Sequence, residues 1–178
     1  MTPPSKAKSA NLLGALALAA SDRARETITH ATGCSETAAA TLSALDQFLE
    51  RPSVDYVSKV VGLSQSGAVR LIDRLERDGL VARGVGEDGR VTAISLTAAG
   101  RKLARRIESS RLESLDAVLA PLTEAELGSF AKLTGKLLVG MMRKPGATRW
   151  MCRLCELSAC ERPLGNCPIE REARARYG

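Results

Sequence analysis

The sequence predicts a mainly α-helical protein carrying one β-hairpin. Three observations predict it. Aromatic residues make up only 3% of a 178-residue chain that is 44% hydrophobic, so Leu, Ala and Val must fill the core, and that mixture suits helices better than a sheet sandwich. Apolar residues recur at three- and four-residue intervals along most of the chain. Only one stretch, residues 80–96, reads as two strands about a Gly-rich turn.

The elements follow in order. Residues 1–10 carry two prolines and no periodicity and are expected to form a disordered tail. Leu12, Leu13, Leu16, Ala19 and Ala20 then recur at helical spacing, giving a first helix that ends near residue 31, before Gly33. Ser35 is an N-cap with Glu36 in the first turn. Behind it Ala38, Leu42, Leu45 and Leu49 form one face of a second helix, which Arg51-Pro52 ends. Ser53 caps a short third helix with Val54, Val57 and Val61 inward. Gly62 occupies the left-handed C-terminal position and Ser64 is the next N-cap. In the fourth helix, about 65–78, Ala68, Leu71, Ile72 and Leu75 face inward, while Ser66, Arg70, Arg74 and Arg77 form an outward stripe. Gly79 stops it. The hairpin follows, with Ile94 and Leu96 inward. Thr97 caps a long fifth helix that Pro121 ends. Thr123 and Glu126 have the spacing of a capping box for a sixth, whose apolar face is Leu127, Phe130, Leu137 and Met141.

Composition limits the setting. The longest apolar run, residues 11–20, is shorter than the roughly 20 residues that span a bilayer. The charged "S-D-R-A-R-E" follows it without a cleavage site, so no membrane partner is expected and the chain is placed in the cytoplasm. A net charge of +6 is compatible with a polyanionic partner.

The second half of the third helix, Gly62-Leu63-Ser64 and the fourth helix have the logic of a helix-turn-helix. The turn Gly tolerates positive φ. Ser64, Gln65 and Ser66 at the start of the fourth helix are small or polar, as a helix entering the major groove requires at its N-terminus. Gln65 can read an adenine edge and Arg74 a guanine edge; Arg70, Arg77 and the first-turn amides can hold phosphates. The hairpin tip places Asp88 beside Arg90, and a thin hairpin carrying Arg fits a minor groove. Asp73 and Glu76, on the same helix, read as salt-bridge partners.

These residues resemble the MarR (multiple antibiotic resistance regulator) family of winged-helix regulators. The resemblance rests on "G-L-S-Q-S-G-A-V-R-L-I-D-R-L-E-R-D-G-L-V-A-R" and on the wing "D-G-R-V-T-A-I-S-L-T-A-A-G". In that family the wing reads D-x-R, five residues, then L-T-x-x-G, and Asp88, Arg90, Leu96, Thr97 and Gly100 fall on those positions. The resemblance implies a winged helix-turn-helix over residues 11–143, with a DNA-binding core at 35–97 and dimerisation helices at 11–31 and 98–143. It also implies a homodimer on a pseudo-palindromic double-stranded DNA operator, usually acting as a repressor, with room for a small-molecule effector.

Residues 144–178 lie beyond the resemblance and hold four of the five cysteines: Cys152, Cys155, Cys160 and Cys167. In a reducing cytoplasm such a cluster binds metal more often than it forms disulfides. Four thiolates can take an iron–sulfur cluster, with four irons and four sulfurs favoured, or a zinc ion. Uneven spacing ending in Cys-Pro lies closer to iron–sulfur ligation, because only the first pair forms a zinc-type knuckle. Arg149, Arg153, Arg162 and Arg171 are placed to offset the negative charge. Cys34 reads as a small buried hydrophobe at a helix junction, and His30 lacks catalytic partners.

The function expected from these readings is that of a DNA-binding regulator whose cysteine site senses redox state, iron or a reactive gas. The alternatives are a ligand-responsive repressor with structural zinc, and an iron–sulfur electron-transfer or maturation protein. No nucleotide loop, nucleophile triad or paired acids appear, so no enzymatic activity is expected.

Overall fold

The computed structural model describes residues 5–85, 92–143 and 146–177. Helix α1 runs Lys6–Thr32, with Ser5 accepting the Lys8 amide at its start and Gly33 (φ +69°) closing it. This corrects the expected tail, since residues 6–10 are helical and Ser5 supplies the N-cap that the tail reading overlooked. Only Ala24 and Ile28 of α1 are buried, and the helix lies along α5.

Helices α2 (Glu36–Gln47), α3 (Val54–Val61) and α4 (Gln65–Arg77) follow. Ser35, Ser53 and Ser64 each accept a first-turn amide, as their sequence positions predict. Gly62 takes φ +73° and turns the chain from α3 into α4. Strands β1 (Val81–Val85) and β2 (Thr92–Leu96) pair antiparallel, from Val81 opposite Leu96 to Val85 opposite Thr92. The Ile94 amide donates to the Pro52 carbonyl at 2.9 Å, so the hairpin base is sewn to the α2–α3 connection.

Helix α5 (Ala98–Leu119) leaves the hairpin through a tight junction. The Thr97 hydroxyl donates to the Gly79 carbonyl at 2.7 Å and its amide to the Leu80 carbonyl at 3.1 Å. Gly100 passes so close that a Cβ there would lie 1.9 Å from the Leu80 oxygen. The wing motif thus ends in glycine because backbone meets backbone at that point.

Helix α6 (Glu124–Met141) carries the expected Thr123/Glu126 capping box. Beyond it the chain forms two further helices, α7 (Ala147–Met151) and α8 (Pro168–Tyr177). They bracket the cysteines and dock on the rest of the molecule, α7 against α3 and α8 against α6.

One core joins α1 to α5 and the hairpin. Leu42, Val57, Ile72 and Ile94 are fully buried in it, matching the faces read from the sequence, and Ile107 of α5 joins them. A smaller cluster gathers Met142, Cys152, Cys167 and Ile169. The predicted apolar faces of α1 and α6 are largely uncovered within one chain: Leu12, Leu13, Leu16, Phe130, Leu137 and Met141 are all exposed, as is Leu133 of α6, which the sequence reading does not assign to that face.

Candidate DNA interface and cysteine cluster

The outward stripe of α4 is as predicted. Ser64, Gln65, Ser66, Arg70, Arg74 and Arg77 are all exposed, while Ala68, Ile72 and Leu75 anchor the opposite face in the core. Ser64 caps the helix through the Gly67 amide, so the remaining first-turn N–H groups stay aimed outward. An exposed helix start bearing free amides and flanking guanidinium groups is an anion-binding surface. Arg74 makes only a long, exposed pairing to Asp78 (3.9 Å). Asp88 and Arg90 lie outside the described residues.

A brace behind the stripe was not foreseen. Asp73 and Glu76 do pair, but with Arg83 of β1 rather than along their own helix. Asp73 takes the guanidinium at 2.5 Å; Glu76 takes its other arm and the Arg83 amide. Arg83 therefore ties the recognition helix to the first wing strand. The pairing spans a helix–strand junction, and no helical spacing reveals it.

The four C-terminal cysteines lie in one small apolar cluster. Cys152 and Cys167 are buried; Cys155 and Cys160 are half-buried. The Cys160 and Cys167 sulfurs are 3.6 Å apart. Cys152 and Cys155 act on one another: the neighbouring Cys152 thiol holds Cys155 below the ordinary thiol range, at about 6, against the opposing effect of burial, with Arg111 and Arg162 assisting. Cys155 and burial together push Cys152 up. Burial pushes Cys160 up to about 12. Among the described residues no three His, Cys, Asp or Glu side chains are arranged to hold a single metal ion.

Of the four arginines expected to offset the thiolates, Arg162 acts on Cys152, Cys155 and Cys160. Arg149 instead stacks over Tyr56 at 4.9 Å and Arg153 over Trp150 at 4.8 Å. Arg111 of α5 is a charge that the sequence reading missed, because it is distant in the chain. Backbone turns shape the loop: Glu161 and Gly165 adopt positive φ (+51° and +77°), and the Glu156 carboxylate accepts the Ser158 and Ala159 amides.

The cysteine loop is wired to the core through Gln47, also unforeseen. Its side-chain oxygen accepts the Leu157 amide at 2.9 Å, and its side-chain nitrogen donates to Glu108 at 3.0 Å. Glu108 is buried on α5 beside Ser43 of α2, and burial raises its carboxyl to about 7. One amide thus links the loop between Cys155 and Cys160 to the last turn of α2 and the middle of α5. Cys34 is buried in the main core, as expected. It also lines a cavity of about 290 Å³ with Arg25, Arg111, Arg153, Leu154 and Cys155.

Residues 32–91 match the model of the MarR family. Among solved structures, the chain is similar to a MarR family protein from Bacillus stearothermophilus at 28% identity; the match covers 77% of this chain and 95% of that one with a TM-score of 0.67. It is similar to MepR, a transcription regulator of the Staphylococcus aureus multidrug efflux pump MepA, at 20% identity over 75% and 98% of the two chains, TM-score 0.65. YusO from Bacillus subtilis matches at 24% identity over 74% and 93%, TM-score 0.63. The family model ends far short of Cys152.

Proposed function

We propose that the chain is a DNA-binding transcription regulator of the MarR type, a homodimeric repressor whose cysteine cluster is its sensor. The exposed stripe from Ser64 to Arg77, backed by the Arg83 brace, is the observation that carries DNA recognition. Each chain presents one such helix, so two-fold pairing through the uncovered faces of α1 and α6 supplies the two half-sites of a pseudo-palindromic operator. Arg90, with Asp88 near it in the sequence to aim it, is the residue we propose for the adjacent minor groove. The sign of regulation, repression, comes from the family resemblance.

For the sensor, we take Cys152, Cys155, Cys160 and Cys167 as ligands of an iron–sulfur cluster, the four-iron form favoured. The uneven spacing of the four cysteines, ending in Cys-Pro, is what supports a cluster over a single ion. Arg111 and Arg162 offset the charge of the bound thiolates. The cluster would respond to redox state, iron or a reactive gas. Its loss would release two contacts: the Gln47 amide from the Leu157 loop, and the α6 end, where Met142 packs on the cysteines and Pro168 on Gly135. A shifted α6 changes the spacing of the two recognition helices.

A second reading has its own support. The 3.6 Å between Cys160 and Cys167 is near the roughly 3.8 Å that tetrahedral Zn–S bonds of ~2.3 Å give two thiolates. Structural zinc would then staple the tail, and the cavity of about 290 Å³, with three guanidinium groups and a size near the small end of ligand pockets, would take a small acid as effector. Metal analysis with a visible spectrum of anaerobically purified protein separates the readings. Iron, sulfide and charge-transfer absorbance lost on air exposure support the sensor; one zinc per chain and no colour sink it. Selection from a random duplex pool, repeated with Arg70→Ala, tests recognition; enrichment of a two-fold motif by the native chain alone is expected.

A further inference from the structure

The geometry points to α7 as a second DNA-contacting element, which places Arg149 and Trp150 against the phosphate backbone beside the recognition helix. This rests on the reading of α4 as the DNA-reading helix. The argument begins with place. The edge of the Trp150 indole lies against Gly62, where a Cβ would meet its Nε1 at 3.5 Å. Gly62 is two residues before Ser64, the N-cap of α4, and a recognition helix meets the groove with its N-terminal end. Residues 62 and 64–66 are exposed, and Trp150 itself is 49% exposed. The indole is therefore continuous with the surface that faces the duplex.

Charge agrees with place. Arg149 lies over Tyr56 of α3, is exposed, and pairs with no carboxylate among the described residues. Lys59, itself paired with Asp55 at 2.7 Å, lines the same groove, and Tyr56 walls it. An aromatic shelf holding an unpaired guanidinium in a fixed direction is suited to a phosphate, because stacking orders the long side chain before the contact forms. Arg153 stacks over the Trp150 ring at 4.8 Å and the indole is still half-exposed. A sugar–phosphate edge supplies both an apolar deoxyribose face for the ring and an anion for Arg149.

Cys152 caps the C-terminal end of α7. The element proposed to touch DNA is thus joined directly to the first cysteine ligand, and the same chain carries the sensor and its outermost DNA contact.

Backbone contacts are independent of sequence, so a short mixed-sequence duplex is a sufficient probe. Binding of the full-length protein is followed by fluorescence anisotropy across a salt series. Arg149→Ala is expected to lower affinity several-fold and to reduce the slope of log K against log salt by about 0.9, the value of one lost phosphate contact. Arg149→Lys should restore most of the slope. Arg176→Ala, an equal charge loss on α8, should leave it unchanged. Trp150 is the sole tryptophan, so its emission should change on addition of the duplex. A native slope for Arg149→Ala, an equal effect of Arg176→Ala, or unchanged Trp150 emission overturns the proposal. If Arg70→Ala weakens binding while Arg149→Ala does not, the recognition helix stands and only α7 is wrong. If neither variant alters binding, the reading of α4 falls and takes this inference with it.

Discussion

Two residues set sharp local conditions. Gly100 approaches the Leu80 carbonyl to a distance that no Cβ survives, so Gly100→Ala must push α5 away from the hairpin. The expected cost is about 1–3 kcal/mol, the usual range for overpacking, read as a fall in the urea midpoint. The sequence motif marks this glycine but does not explain it; the explanation needed the Thr97–Leu80 junction. Glu108 is the opposite case, a buried carboxyl that no motif marks. Its folded-state value of about 7 lies above the ordinary 4.5. Between those values the folded chain holds a proton that the unfolded chain has released, so its contribution to stability is full below pH 4.5 and is lost as pH rises through 7. Melting temperature should therefore fall from pH 5 to pH 8, and Glu108→Gln, which keeps the Gln47 contact without the charge, should flatten that fall. An unchanged slope in the variant would show that Glu108 does not titrate in this range.

At the level of elements, the strongest local signals were read correctly. Serine caps, the glycine turn at Gly62, the capping box at Thr123 and the alternation at Ile94 and Leu96 all specify backbone geometry within a few residues, which is why a single sequence reveals them. Links between elements distant in the chain carry no such signal. Arg83 joins α4 to β1, Gln47 joins α2 to both α5 and the cysteine loop, and Arg111 reaches Cys155 from α5; each is one polar residue among many. The eighth helix was hidden by charge, since its sequence is mostly Glu, Arg and Ala with one buried anchor, Ile169. Arg83→Ala tests the brace. It should cost about 1 kcal/mol of stability, as for a partly exposed ion pair, and weaken DNA binding more than that figure implies, because the wing strand loses its tie to the recognition helix. Equal losses in stability and in binding would reduce the brace to a fold contact.

On the scale of the molecule, the uncovered leucines of α1 and α6 form an apolar face, and the proposed function assigns a second copy to cover it. Light scattering on the native chain should give a dimer, and Leu133→Glu, placing a carboxylate on a side chain now 61% exposed, should give a folded monomer with weakened operator binding. A native monomer would remove the two half-site scheme. Sequence could not decide this, because an apolar helical stripe looks the same whether its own chain or another covers it. The proposed metal site predicts that a chelator will raise the exposure of Trp150 and shift the Cys155 thiol toward alkylation, measured by iodoacetamide labelling with and without chelator; equal labelling would mean that no metal protects it.

The contacts of the cysteine loop have a further consequence for such a dimer. Leu157 meets Gln47 of its own chain, and α7 meets α3 of its own chain. On the proposed function, each half therefore carries a private input. A dimer with one filled and one empty site would then no longer be two-fold symmetric, and its two arms would grip a symmetric operator unequally. Loss of the first proposed cluster would loosen one half-site while the other held, so the proposed repression would decay in two steps, the stoichiometry of the response recorded in the asymmetry of the footprint.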